Sequence, residues 1–185
     1  MKYLKFLTAM LLLTPLSNAN AIDFLIEAGL HTGGDKLINV PFTSGESESI
    51  YAGDLLSVSV GAVADHGSFE MRYKYGYKFD SITALNGSVD WERNTIDVLA
   101  MYKYNTNWRL GGGLTYHLNP EVSGTGVVSG SVKYDDSLGF MAEADYFWGN
   151  GNSGYFGLVF TAIDYDIGSV SISGNSIGIN VGGIF

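Results

Sequence analysis

The stretch that decides the fold is FEMRYKYGYKF, Phe69 to Phe79. Side chains alternate between the two faces of a β-strand, so every second residue of this stretch shares a face. One face carries Phe69, Met71, Tyr73, Tyr75, Tyr77 and Phe79, and the other carries Glu70, Arg72, Lys74 and Lys78. A soluble sheet would bury the first face, whereas a transmembrane barrel turns such a face toward lipid and the charged face inward.

Aromatic side chains stand at both ends of this apolar face, which is typical of a membrane barrel. At a rise of about 3.3 Å per residue and a tilt near 45°, Phe69 and Phe79 are separated by roughly 23 Å along the membrane normal. The apolar band of an outer-membrane barrel is about 25 Å tall and is bordered by aromatic girdles. The predicted membrane-anchoring aromatics are Phe69, Tyr104, Trp108, Trp148 and Phe185 at the periplasmic end, and Tyr51, Tyr77, Phe79 and Tyr116 at the external end.

The chain closes on a second alternating stretch, SIGINVGGIF, Ser176 to Phe185. We expect Ile177, Ile179 and Val181 to face lipid and Phe185 to anchor the lower end of the last strand. The predicted strands are Asp23–Thr32, Ser49–Ala64, Ser68–Phe79, Trp91–Tyr104, Trp108–Leu118, Ser137–Trp148, Tyr155–Asp166 and Ser173–Phe185. Short and longer connections alternate between them, which predicts an eight-stranded antiparallel up-and-down barrel with tight periplasmic turns and four external loops.

The first residues read as a secretory signal peptide. A basic start, the apolar run FLTAMLLLTPL and the small-residue exit SNANA follow one another, with Ala19 and Ala21 in an A-x-A arrangement. We therefore divide the chain into a cleaved signal, residues 1–21, and one barrel domain, residues 22–185. The mature domain is strongly acidic, which argues against nucleic acid as a partner, and the absence of Cys excludes disulfides.

Taken together, the signal, the alternating strands and the terminal Phe185 resemble the small outer-membrane β-barrels of the OmpA, OmpX and opacity-protein type. The resemblance spans the whole mature chain. It implies an integral location in a Gram-negative outer membrane, contacts with lipid and lipopolysaccharide, and a monomeric barrel. It also implies that the last strand is read by the barrel-assembly machinery and that external loops at the cell surface contact host or phage ligands.

The charged faces of the strands predict the contents of the lumen. Eight strands enclose a space just wide enough to be filled by side chains, and charges confined there must be paired. The predicted lumen charge network is Glu27, Glu70, Arg72, Lys74, Asp97, Arg109, Glu143 and Asp145. We interpret it as a salt-bridged plug and the protein as a structural or surface-interaction barrel; the alternative is a narrow porin-like channel lined by the same residues.

A second alternative is a lipid A-modifying enzyme, but the sequence favours no catalytic residue. The chain has three histidines, of which His117 lacks the His-x-Ser motif of lipid A deacylases, and His31 could meet Asp35 and Ser44 only through loop folding. His66 lies in a short turn where we expect it to be solvated. The loop acids have no calcium-loop spacing, so we predict no metal and no cofactor.

Two local features stay open at this point. In the seventh strand, turning Tyr155 and Val159 toward lipid aims Asp164 and Asp166 inward but buries Phe156, Leu158 and Phe160. The glycines at positions 111–113 lie inside a strand with no helix after them, so they are no phosphate-binding loop. We expect them to permit curvature or the close approach of a large neighbouring side chain such as tyrosine.

Cleavage after Ala21 predicts that the mature protein begins at Ile22. Replacing Ala21 with Arg removes the small residue that the signal peptidase requires, so the variant should accumulate as the uncleaved precursor. Intact-mass measurement of the membrane fraction checks both statements. A wild-type protein that retains its first residues in the outer membrane would contradict the assignment.

Overall fold

The computed structural model describes residues 21–41, 47–84, 87–126, 129–148 and 153–185. Within these ranges it contains thirteen strands. They are β1 (Ala21–Gly33), β2 (Lys36–Pro41), β3 (Ser47–Tyr51), β4 (Leu55–Asp65), β5 (Phe69–Ala84), β6 (Gly87–Lys103), β7 (Trp108–Gly124), β8 (Gly130–Lys133), β9 (Ser137–Trp148), β10 (Gly154–Ala162), β11 (Asp164–Ile167), β12 (Val170–Ser173) and β13 (Ser176–Ile184). The described residues include no helix that is long and apolar enough to cross a membrane.

Eight of these strands form one closed antiparallel barrel, which confirms the predicted fold class. Each barrel strand pairs with its neighbours in chain order, through β1, β4, β5, β6, β7, β9, β10 and β13. The ring closes because β1 pairs with β13 over residues 25–33, for example Leu25 with Ile184 and Gly33 with Ser176. Closure leaves no barrel strand with an unpaired edge, as a backbone surrounded by lipid requires.

The exterior of the barrel is apolar, and the facing predicted from Phe69 to Phe79 holds around the ring. On β13, Ile177, Ile179 and Val181 are exposed on the outside, while Asn180 is buried inside. The facing of β10 is opposite to the one considered above. Phe156, Leu158 and Phe160 are between 52% and 60% exposed toward lipid, and Tyr155 and Val159 are fully buried in the lumen.

Several strand limits differ from those predicted because the external connections fold into strands of their own. The predicted strand Ser49–Ala64 is two strands, β3 and β4, separated by a turn at 52–54. β2 and β3 form a hairpin, β11 and β12 form another, and β8 extends the sheet beside β7. The seventh barrel strand therefore ends at Ala162, and the last one begins at Ser176.

The glycines on β7 permit a close approach of backbone, not of tyrosine. A Cβ atom at Gly111 or Gly113 would collide with the carbonyl oxygens of Ala100 and Val98 on the neighbouring strand β6. The predicted packing of a tyrosine on glycine occurs elsewhere, since a side chain at Gly182 would collide with the ring of Tyr155. The absence of a side chain at each glycine thus allows a close contact, with the β6 backbone in the barrel wall or with the Tyr155 ring in the lumen.

Replacing Gly113 with Val should lower the yield of folded barrel, because the side chain would push against the β6 backbone. The check is gel mobility with and without boiling, since a closed barrel resists detergent until it is heated. Ala100→Val is the matched control, because Ala100 is exposed to lipid beside the same strand pair. Equal heat-dependent mobility shifts for both variants would show that the close approach is not needed for folding.

Candidate functional site

The centre of the lumen is occupied by Arg72, a fully buried guanidinium on β5. Its Nε donates to Glu70 Oε1 at 2.8 Å, and its Nη1 lies 2.9 Å from Glu143 Oε1 and 2.6 Å from Asp145 Oδ2. Glu143 and Asp145 lie on β9, three strands away around the ring. Arg72 therefore joins opposite walls of the barrel through charge-assisted contacts.

A second cation, Lys74, extends this network toward β1. Its Nζ lies 2.9 Å from Glu27 Oε1 and 3.2 Å from Glu143 Oε2. The Tyr155 hydroxyl donates to the other oxygen of Glu27 at 2.6 Å. Because these side chains are almost completely buried, each ionic group is balanced by a partner from a different strand.

The structure brings seven of the eight predicted lumen residues into this one network. Arg109 joins it from β7, with Nη1 at 2.6 Å from Glu70 Oε2, and its guanidinium carbon lies 3.7 Å from the centre of the Phe147 ring. Asp97 stays apart and accepts a hydrogen bond from Thr115 Oγ1 at 2.5 Å. In the register of β5 and β6, Asp97 is opposite Lys74, and Leu99 is opposite Arg72.

Above the charged layer, the external mouth is covered by an apolar cluster that we call the cap. It draws on β2 and β3, on the β5–β6 hairpin, on β7 and the segment after β8, and on β11 and β12. Its buried members are Val40, Ile50, Ala52, Leu55, Ile82, Val89, Trp91, Ile163 and Tyr165, with Leu37, Ile38, Val122, Tyr134 and Ile172 packed against them. Its members lie beyond the charged layer, at the external end of the barrel.

Trp91 lies at the centre of the cap. Its ring is edge-on to Tyr165 and Tyr134, with centroids 5.5 and 5.6 Å away, and its Nε1 donates to the Ala52 carbonyl at 3.2 Å. Tyr165 in turn places its hydroxyl 2.6 Å from His117 Nδ1. Tyr134 lies outside the membrane-spanning region, and its partial burial raises the pKa of its phenol above the ordinary value.

Backbone hydrogen bonds tie the external connections to one another as well. Asp35 accepts from the Ser173 amide at 2.8 Å through Oδ2, and its own amide donates to the Ser173 carbonyl at 2.7 Å. Asp54 Oδ1 accepts from the Gly33 amide at 2.8 Å, which holds the turn between β3 and β4 over the end of β1. The described parts of the loops therefore form one structured surface.

Sequence reasoning missed the two largest members of this upper region, Trp91 and Arg93, although a signal for them was present. Both lie at even spacing from Asp97 on β6, so the alternation that placed Asp97 inward also places them inward. Tyr165 shares the face of Tyr155 and Val159, which the sequence left open, and it is fully buried. On β6, every second side chain therefore continues to point into the barrel beyond the membrane-spanning part of the strand.

The histidines do not come together with an acid in the described residues. His31 faces the lumen, where its Nε2 lies 3.0 Å from Ser57 Oγ, and its Nδ1 has no hydrogen-bond partner there. Asp35 is engaged with Ser173, and Ser44 lies outside the described residues. His66, in the turn where we expected a solvated ring, is partly exposed and stacks on Phe69 with ring centroids 4.9 Å apart. No group of three metal-binding side chains occurs in the described ranges.

The predicted girdle aromatics lie on the outer surface. Phe69, Tyr104, Trp108, Trp148 and Phe185 are exposed near the periplasmic turns, with Phe185 the most exposed at 73%. Tyr51 and Tyr116 are exposed at the external end, and Tyr77 and Phe79 stack on each other with centroids 5.6 Å apart. Tyr51 lies in the β2–β3 hairpin, where Lys36 Nζ is 5.8 Å from its ring centre.

Known proteins resemble this chain in structure but not in sequence. No family model matches it, and no curated protein matches it. The crystal structure of Ail, the attachment invasion locus protein of Yersinia pestis, superposes with a TM-score of 0.55 at 8% identity, over 89% of this chain and 97% of that one. Neisserial surface protein A superposes with a TM-score of 0.54 at 9% identity, over 90% of this chain and 99% of that one.

Such low identities establish the fold alone. They agree with the closed ring of eight strands, the lipid-facing exterior and the short turns at one end. The chain therefore has the architecture of the small integral β-barrel proteins of bacterial outer membranes.

Proposed function

We propose that this protein is exported with a signal peptide that is cleaved after Ala21. The mature protein acts as a non-conducting, non-catalytic outer-membrane barrel whose external surface binds partners. The observation that carries the proposal is the order in which two layers of side chains follow each other along the barrel axis. A network of ion pairs fills the middle of the lumen, and the cap covers its external mouth. Because side chains occupy the interior at both levels, the residues that a partner can reach lie on the outside of the barrel.

The lumen network supports a structural role for the interior. Arg72, Lys74 and Arg109 are each held by carboxylates at 3.2 Å or less. A conducting path would need these pairs to open, which would leave buried charges without partners at a cost of about 3–5 kcal/mol for each broken pair. The narrow channel is therefore the weaker alternative.

The external surface has a strong negative charge that would select its partners. The described acidic residues there are Asp35, Glu48, Asp54, Asp80, Asp90, Glu92, Glu121, Asp135, Asp136, Asp164 and Asp166, against the cations Lys36 and Lys133. Surface potentials of one sign attract ligands of the other and repel their own. Ail has been crystallised with the heparin analogue sucrose octasulfate, a polyanion. The charge of the present surface favours cationic ligands instead.

The lipid A-modifying alternative finds no support in the geometry of the described residues. His31 and Ser57 are buried in the lumen beneath the cap, and His117 is held by Tyr165. A catalytic group for a lipid substrate would have to reach the outer surface of the barrel. We therefore place the contacts with lipid and lipopolysaccharide at the aromatic girdles and assign them an anchoring role.

Arg72→Met should destabilise the barrel by about 3–5 kcal/mol, because it leaves Glu70, Glu143 and Asp145 buried without their shared cation. Urea unfolding of the refolded protein in detergent measures this free energy. Lys133→Met is the matched control, since that ion pair with Glu121 has a Lys side chain 71% exposed and should contribute little. Equal unfolding curves for the two variants would show that the network does not stabilise the lumen.

Surface variants test the interaction role directly. Glu48→Lys and Asp166→Lys reverse charge at exposed external positions outside the cap, whereas Ser68→Lys introduces a lysine at an exposed periplasmic turn. We expect several-fold changes in bacterial adhesion to host cells, or in phage adsorption, from the external variants and none from Ser68→Lys. If all three variants behave as the wild type, the external surface is not the binding face.

Planar bilayers separate this role from the channel. The folded wild-type protein should show no single-channel conductance. Steady openings whose size changes in Glu143→Ala would identify a conducting lumen and overturn the proposal.

A further inference from the structure

The upper lumen, between the charge network and the cap, holds two cations side by side. Lys78 and Arg93 are directly opposite each other on β5 and β6, and they are only 5% and 2% exposed. No carboxylate among the described residues forms an ion pair with either of them. Like charges opposite each other on neighbouring strands repel, and buried cations without a counter-ion are costly.

Aromatic rings compensate part of the charge of Arg93. Its guanidinium carbon lies 4.9 Å from the centre of the Trp91 ring and 5.2 Å from that of Tyr165. Its Nε and Nη1 have no hydrogen-bond partner within the described part of the chain, and neither has His117 Nε2. Cation–π contacts stabilise the guanidinium but give its N–H groups no acceptor.

The carboxylates of the lumen are concentrated below this level. Glu27, Glu70, Glu143 and Asp145 accompany Arg72, Lys74 and Arg109 in the charge network. Two acids flank the upper pair in the β5–β6 register: Asp80, opposite Trp91, accepts from the Ser81 amide, and Asp97, opposite Lys74, accepts from Thr115. The level of Lys78 and Arg93 thus holds two cations with which no carboxylate among the described residues forms an ion pair.

A cavity of about 10 Å³ adjoins Lys78 of this pair, whereas Arg93 does not line it. Lys78, Ser57 and Thr95 line it, and Gly76 leaves room for it, because a Cβ atom there would lie 2.7 Å from Thr95 Oγ1. Lys74, Glu27 and Asp97 also line it, but Lys74 is paired with Glu27 and Glu143, and both lining carboxylates already accept hydrogen bonds from other side chains. This volume accommodates one small ion or water and excludes phosphate or sulfate.

We propose that this cavity binds one small monovalent anion of chloride size, held by Lys78 Nζ and by the hydroxyl groups of Ser57 and Thr95. Ser57 is free to donate when His31 Nε2–H donates to its oxygen. A water molecule could accept the same hydrogen bonds but would not neutralise the charge of Lys78. The anion would therefore act as a structural counter-ion of the upper lumen, and this inference does not depend on the role proposed for the external surface.

Stability in matched salts tests the proposal. The folded protein in detergent is heated in sodium chloride and in sodium gluconate at equal ionic strength, and unboiled gel mobility gives the midpoint of barrel opening. An anion that binds only the folded state should raise the midpoint by at least about 2 °C in chloride. Lys78→Gln should abolish this difference, and Lys133→Gln, which alters an exposed lysine, should retain it.

Two results would overturn the site. One is a wild-type midpoint that is the same in both salts, and the other is a chloride effect that persists in Lys78→Gln. Crystals of the wild type grown in bromide provide a second measurement that needs no variant to fold. We expect an anomalous difference peak within hydrogen-bonding reach of Lys78 Nζ, and a cavity without such a peak would exclude the bound anion.

Discussion

The structure depends on one constraint, which is that every backbone N–H and C=O group inside the hydrocarbon layer must be paired within the protein. The pairing of β1 with both β4 and β13 meets it by closing the sheet. Closure then assigns one face of every strand to lipid and the other to a narrow interior. Because eight strands leave room only for side chains, charges on the inner face need compensation inside the barrel. Most find it as ion pairs, and Arg93 finds part of it on aromatic rings.

Arg72 shows how that requirement is met. Its partners Glu143 and Asp145 come from β9, a strand 71 to 73 residues later in the chain. The contact is non-local, so it forms only when the ring closes and adds its stabilisation to the closed state. The surrounding rings contribute too, since the Arg72 guanidinium carbon lies 5.1 Å from the centre of the Tyr155 ring. The interior thus combines ion pairs with packing of charged groups against aromatic rings.

This mixture explains where sequence reasoning succeeded and where it did not. On β5 the outer face is apolar and the inner face is charged, so alternation alone predicted the facing. On β6 the inner face is mixed, since Leu99 and Met101 are buried beside Asp97. On β10 both faces are apolar, and the choice depends on Tyr155 donating to Glu27, a residue 128 positions earlier. The turn between β3 and β4 was missed for the same reason, because its hydrogen bond joins Asp54 to Gly33.

The cap follows from the same strands continuing beyond the membrane. Within the lipid layer, β5 turns apolar side chains outward and charged ones inward, and β6 turns Asp97 inward together with Leu99 and Met101. Above it the pattern reverses, since Ile82, Val89 and Trp91 are buried inside while Ser81, Thr83 and Glu92 are exposed outside. The reversal occurs where the surrounding solvent changes from hydrocarbon to water, and burying apolar side chains again becomes favourable. The external end of the barrel is therefore built as a small water-soluble core, and this core gives the acidic outer surface a fixed shape.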